Sequence, residues 1–151
     1  MKYIDSFSIA SFKQEEDYIL ERRKTKADMT CYSNSIYPFN IFTWKKLHTI
    51  EFENITIICG GNGCGKSTLL NIIAEKLGVM RRSPFNYTPY YEDYLKLCSA
   101  ELTFGRRLPE TSRIITSDDV FDFLLDIRSL NVAIDRRRED LFIEYNDGSR
   151  N

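Results

Sequence analysis

The chain has 151 residues, with 21 Lys and Arg against 22 Asp and Glu and a formal net charge of −1. That length is one ordinary domain and the 42% hydrophobic content is enough for one core, while the near-neutral charge excludes a protein that grips nucleic acid over its whole surface and leaves only a local patch. No run is apolar enough for a transmembrane helix, the opening MKYIDSFSIASFKQEEDYIL lacks the apolar stretch of a secretion signal, and Cys31, Cys59, Cys64 and Cys98 have neither zinc-ligand nor C-x-x-C spacing; these features read as a cytoplasmic protein with free thiols and no membrane insertion.

Residues 1–20 alternate loosely between apolar and polar positions, which predicts an edge or antiparallel strand rather than a helix, and the charged stretch 21–28 reads as a loop. Residues 36–44 are rich in aromatics and interrupted by Pro38. The segment 47–54 alternates, with Leu47, Thr49, Glu51 and Glu53 on one parity and Ile50 and Phe52 on the other. It predicts a strand that turns at Glu53 and Asn54 into a second, buried strand carrying Ile55, Ile57 and Ile58, so a pair of antiparallel strands is expected before residue 60. An apolar-faced helix follows from about residue 67, with Lys76 in its last turn and Gly78 where a left-handed residue would close it.

Beyond that helix, Pro84 and Pro89 and the aromatics from Phe85 to Tyr94 mark a loop, with order returning near Tyr94. Residues 101–108 predict a short strand that Pro109 ends. From Thr116 a helix is expected, capped by Thr116 or Ser117, with Val120, Phe123, Leu124 and Ile127 on one face. A second helical segment is expected at 135–147.

The chemistry lies in residues 55–68, ITIICGGNGCGKST, where an apolar strand runs into the spacing G-x-x-x-x-G-K-S of a phosphate-binding loop, the P-loop. Gly60, Gly61, Gly63 and Gly65 allow the backbone to curl so that successive N–H groups point at one anion. Lys66 brings a positive charge to the β- and γ-phosphates, Ser67 offers a hydroxyl to Mg²⁺, and the following helix presents the positive end of its dipole. Cys64 lies beside Lys66 and a helix N-terminus, both of which favour a thiolate; the alternative is that the position simply needs a small residue. Cys64 is expected to be shielded from alkylation by nucleotide, and Cys31 and Cys98 to label independently of it.

Other candidates have plainer alternatives. Asp118 and Asp119 can be metal ligands or favourable charges at a helix N-terminus, the structural reading carrying more weight. Arg136, Arg137 and Arg138 are flanked by Asp135, Glu139 and Asp140 and read better as a solvated face with internal ion pairs than as an arginine finger. Arg81, Arg82, Arg106 and Arg107, with Tyr87, Tyr90, Tyr91 and Tyr94, offer an aromatic and basic surface for nucleic acid, although such loops more often pack on their own domain. His48 is the only histidine, which closes any scheme that needs one after the P-loop.

With Gly60, Gly61, Asn62, Gly63, Cys64, Gly65, Lys66, Ser67 and Thr68 in view, the chain resembles an ABC-type ATPase head, and specifically the small bacterial AAA family ATPases related to the SMC, RecF and ABC nucleotide-binding domains. The specific resemblance covers about residues 36–80. It implies an α/β P-loop NTPase fold: antiparallel strands and loops at 1–54, the P-loop strand and Walker A helix at 55–80, and an aromatic loop with a helical region at 81–151, all as one ATPase domain. It also implies ATP and Mg²⁺ held by Gly60 through Thr68, with Ser67 on the metal, an adenine stacked on Phe42 or Trp44, and self-association or a second ATPase head as partner. The chain departs from the family in having its one glutamine, Gln14, before the P-loop, and no signature sequence, Walker B Asp-Glu or switch histidine after Lys66. These departures are expected of the N-terminal portion of a longer ATPase, with hydrolysis in the complete protein. The alternatives are a nucleotide-binding regulatory or interaction module without hydrolysis and, less favoured, a P-loop kinase; nucleotide turnover separates them.

Overall fold

In the computed structural model, which describes residues 1–24 and 36–148, the first strand, β1 (Ile4–Ser8), lies between β2 (Thr49–Glu51) and β3 (Ser99–Leu102), antiparallel to both. The alternation read in the sequence holds here. Phe7 sits opposite Ile50 and Ala100 and is fully buried, whereas its neighbours Ser6 and Ser8 bond to side chains on the other strands: Ser6 Oγ donates to Glu101 Oε2 at 2.9 Å and Ser8 Oγ pairs with Thr49 Oγ1 at 3.0 Å. The antiparallel β1–β2 pair is the expected one. β1 is nevertheless central rather than an edge, because its second partner comes from a distant stretch that local pattern does not reveal.

The strand expected over 1–20 stops at Ser8, and Phe12–Lys24 forms a helix, α1, in place of strand and loop. Its start is a reciprocal cap: Ser11 N–H donates to Gln14 Oε1 at 2.9 Å and Gln14 N–H donates to Ser11 Oγ at 3.4 Å, the S-x-x-Q form of the capping box. Among the described residues of α1, the buried and half-buried ones are Glu15, Tyr18, Ile19 and Arg22, with Ile19 the one aliphatic side chain among them. Tyr18 stacks on Phe39 with centroids 4.6 Å apart, and the Arg22 guanidinium lies over the Tyr90 ring at 4.8 Å. A stripe with a single aliphatic side chain has no hydrophobic periodicity, which is why the sequence pattern missed the helix. Cys31 and the part of the charged stretch beyond residue 24 lie outside the described residues.

The chain divides into two units, Met1–Ile114 and the residues from Ile115 onward. The core of the first is aromatic: Phe7, Phe39, Phe42, Tyr90, Tyr91 and Tyr94 pack with Leu69, Ile72 and Ile73 of α2 (Lys66–Lys76). α2 ends as expected. Gly78 has φ +62°, its N–H donates to Glu75 O at 3.2 Å, and Val79 N–H donates to Ala74 O at 2.9 Å, the paired bonds of a Schellman stop. The aromatic loop then enters α3 (Tyr91–Leu97) before β3. Tyr18 Oη donates to Asp93 Oδ2 at 2.7 Å and ties α1 to α3; the Tyr18 hydroxyl is pushed up to about 12, first by burial and then by that carboxylate.

Two expectations are corrected. The apolar run Ile55–Cys59 is not a strand, since none of the described strands pairs with it, and Ile55 and Ile57 are 83% and 79% exposed rather than buried. Consecutive β-branched residues create a tendency to extend, but a strand exists only with a neighbour to complete its hydrogen bonds. In the second unit, the two helical segments expected at 116–131 and 135–147 form one helix, α4 (Ser117–Gly148), because no proline or internal glycine separates them. Thr116 caps it as expected: Asp119 N–H donates to Thr116 Oγ1 at 3.4 Å, and Thr116 N–H donates back to Asp119 Oδ2 at 2.7 Å.

Ser11→Ala removes a side chain of the α1 capping box, and a loss of about 1 kcal/mol in folding stability is expected. A urea titration followed by far-ultraviolet circular dichroism reads it as a lower midpoint with unchanged slope.

Candidate functional site

The P-loop is held at its end by the start of α2. Gly65 is the residue before the helix, with φ +93° and ψ 12°, and Gly63 has φ +74°. Both are left-handed conformations that side chains disfavour. Gly65 is constrained a second way: a Cβ there would stand 3.1 Å from Phe42 Cε1 and 3.2 Å from Ile41 Cγ2. At Gly60 a Cβ would come within 2.6 Å of Cys64 Sγ, so the thiol packs over that glycine. The loop backbone therefore fits closely against both the core and itself.

Two ammonium groups converge on this loop. Lys66 Nζ donates to Gly60 O at 2.7 Å and to Gly61 O at 2.8 Å, and it lies 3.6 Å from Cys64 Sγ. Lys45 Nζ donates to the carbonyl oxygen of Cys64. Lys45 is part of a 3-10 turn, Thr43–Lys45, and was not among the residues singled out from sequence, since nothing in its local pattern distinguishes it from a surface lysine. Ser67 and Asn62 are exposed; Thr68 is half-buried. A pair of cations beside a run of glycine N–H groups at the N-terminus of an eleven-residue helix is an arrangement suited to a polyanion.

The turn that carries Lys45 is itself anchored. Glu15, 1% exposed, accepts hydrogen bonds at Oε2 from Asn40 N–H and from Thr43 Oγ1, each at 2.7 Å. Asn40 and Lys46 both have positive φ, 64° and 52°, so the chain reverses tightly at each end of the turn. Of the two aromatics considered for stacking, Phe42 is buried behind Gly65, whereas Trp44 is 82% exposed.

The remaining candidates fall elsewhere. Asp119 accepts the Thr116 capping bonds, and Asp118 is exposed in the first turn of α4. Arg113 forms an isolated parallel bridge with Met80 and does not pair with the segment before the P-loop. Arg138 pairs with Asp135 at 4.0 Å, in line with a solvated helix face. Tyr90, Tyr91 and Tyr94 are buried and unavailable to stack on bases, and Arg81 is held by Asn71, Ser83 O and the Phe85 ring. His48 contributes its backbone carbonyl, which accepts from Ile9 N–H at 2.9 Å. Among the described residues no group of three or more His, Cys, Asp or Glu is placed to hold a metal, and no helix is long and apolar enough to cross a membrane.

The AAA domain family matches residues 35–77, a stretch that includes the Lys45 turn, β2, the P-loop and α2. The match supports an AAA-type P-loop and nucleotide binding of an ATPase-like kind. No curated protein and no solved structure matches the chain.

The cysteines differ in access. Cys59 is exposed, Cys64 intermediate and Cys98 buried, with burial pushing the Cys98 thiol up to about 11. Because the thiolate is the nucleophile, maleimide at neutral pH is expected to modify Cys59 promptly and to leave Cys98 unmodified until denaturant is added. Peptide mapping by mass spectrometry checks it.

Proposed function

We propose that residues Gly60 through Thr68 bind the triphosphate of ATP together with Mg²⁺, Ser67 lying on the metal, and that the chain is part of an ABC/SMC/RecF-like cytoplasmic ATPase that hydrolyses ATP in the complete protein and works with a second head or copy. The observation that carries the reading is the Lys66 ammonium held within a loop built of glycines at the start of α2. The loop leaves room for such a ligand at its middle: Gly61 and Gly63 would have open space around a Cβ, Gly65 is closed only on the side that faces the core, and Gly60 is covered by the Cys64 thiol. ATP supplies the phosphoanhydride; the chain supplies charge, backbone donors and orientation. Trp44, exposed next to Lys45, is the aromatic suited to lie against the base.

The P-loop holds ground state and transition state alike, and uniform binding of this sort gives affinity rather than rate. Residues 60–68 therefore account for capture of the nucleotide, and hydrolysis rests on groups that act on the transition state.

Lys66→Ala is expected to weaken Mg-ATP binding by about tenfold to a hundredfold, the range for losing hydrogen bonds to a charged group. Titration with a fluorescent ATP analogue measures it, and equal affinity in variant and parent would remove the loop from the binding site. Saturating Mg-ATP is also expected to slow maleimide modification of Cys64 while leaving Cys59 unaffected. The thiol lies 3.6 Å from Lys66 Nζ, so phosphate gathered by that ammonium obstructs it. An unchanged rate at Cys64 would count against the placement.

A further inference from the structure

We propose that Glu15 and Lys45 form a positioning relay for the P-loop, in which Glu15 holds the 40–45 turn and Lys45 sets the orientation of the Cys64–Gly65 peptide. The inference rests on the nucleotide-binding reading of residues 60–68 and assigns to it two residues that lie outside the motif.

The first link is the buried carboxylate. Glu15 is 1% exposed, and one oxygen receives two short bonds from the turn, one from backbone and one from a side chain. Both bonds fall on Oε2, while Oε1 is buried without a hydrogen-bond partner, so the hold of Glu15 on the turn rests on that one oxygen. The buried Tyr94 hydroxyl lies close by, its own ionisation pushed up by burial and next by the Glu15 charge. Glu15 thus ties α1 to the turn at one point. A hydrophobic side chain would have filled the same volume; what the carboxylate adds is direction, because it fixes Asn40 in its left-handed conformation and Thr43 at the start of the 3-10 turn.

The second link is Lys45, two residues beyond Thr43. Its ammonium donates to the Cys64 carbonyl, and its backbone N–H donates to Phe42 O at 2.9 Å. Phe42 in turn packs where a Cβ of Gly65 would be. The Cys64 carbonyl and the Gly65 N–H belong to one planar trans peptide, so they point in opposite directions. A cation that holds the carbonyl therefore aims the Gly65 N–H away from itself. In a loop whose ligand contacts are backbone donors, the orientation of one peptide decides whether a donor is presented.

The test uses the full chain and a fluorescent ATP analogue with Mg²⁺, with the unfolding midpoint of every variant recorded alongside. Lys45→Met, which keeps the aliphatic stem, is expected to weaken binding by about tenfold, the lower end for one bond to a charged group. Glu15→Ala is expected to weaken it by a similar factor, and Glu15→Ala with Lys45→Met to bind no worse than the weaker single variant, because both act through one peptide. Glu15→Gln is expected to restore affinity to within about twofold, since its amide oxygen can accept from both Asn40 N–H and Thr43 Oγ1 and so keeps the turn in place without the charge. If Glu15→Ala lacks a cooperative unfolding transition, Thr43→Val, which removes one donor, carries the same cycle with Lys45→Met. Additive losses, or losses in midpoint without losses in affinity, overturn the relay. If Lys66→Ala abolishes binding while Lys45→Met and Glu15→Ala match the parent, the relay falls and the P-loop reading stands. If Lys66→Ala itself binds like the parent, the P-loop reading falls and takes the relay with it.

Discussion

The close approach of Phe42 and Ile41 to the backbone of Gly65 is the contact on which the arrangement of the first unit depends. With a ring carbon 3.1 Å from where a Cβ would stand, a larger residue would have to push Phe42 back by a few tenths of an ångström, and the positive φ of Gly65 strains it besides. Phe42 belongs to the same buried cluster as Leu69 and Ile72, which face inward one and two turns along α2. Core, helix and loop are thereby fixed by a single set of packing contacts. Because protein interiors are packed to crystal-like density, a change of volume at Phe42 would be felt first in the loop.

Around this contact the core is assembled from rings and cations more than from aliphatic side chains. Tyr18 stacks on Phe39, Phe39 meets Tyr94 edge-on with centroids 5.0 Å apart, and Phe85 and Tyr87 pack on Tyr91. The Arg22 guanidinium lies over Tyr18 and Tyr90, and that of Arg81 over Phe85. Such contacts have preferred angles as well as distances, so they select an arrangement where Leu and Val would tolerate several. The aromatic loop packs on its own domain, the more frequent of its two readings: Tyr90, Tyr91 and Tyr94 are buried in the core, while Tyr87 is half exposed. Its tyrosines bring hydroxyls inside, and burial drives the ionisation of Tyr91 and Tyr94 upward.

What could be read from sequence divides along the range of the interactions involved. The P-loop spacing, the Gly78 stop and the Thr116 cap are made by residues a few positions apart, and each was legible. The strand content of 4–8 and 49–51 was legible from alternation, but the central place of β1 depends on β3, more than ninety residues away in the chain. α1 was lost because its buried and half-buried residues are Glu15, Tyr18, Ile19 and Arg22, with one aliphatic among them, although Ser11 and Gln14 spelled its start. Within the site, Lys66 came from the motif. Lys45 and Glu15 did not, because their roles exist only once the chain has folded back and brought residues 15, 40–45 and 64 together.

The unpaired segment before the P-loop has a physical consequence of its own. Ile55-Thr56-Ile57-Ile58-Cys59 is uncharged, free of proline and β-branched at all but its last position, and Ile55 and Ile57 face water. Short runs of this composition, extended and lacking a ladder partner, are templates for cross-β stacking between molecules. Charged residues stand on one flank, at Glu51 and Glu53, while the other flank is glycine and offers no gatekeeper. The stretch adjacent to the site is thus one place where molecules can pair with one another, and any neighbour that completes its ladder covers it as well as supporting it.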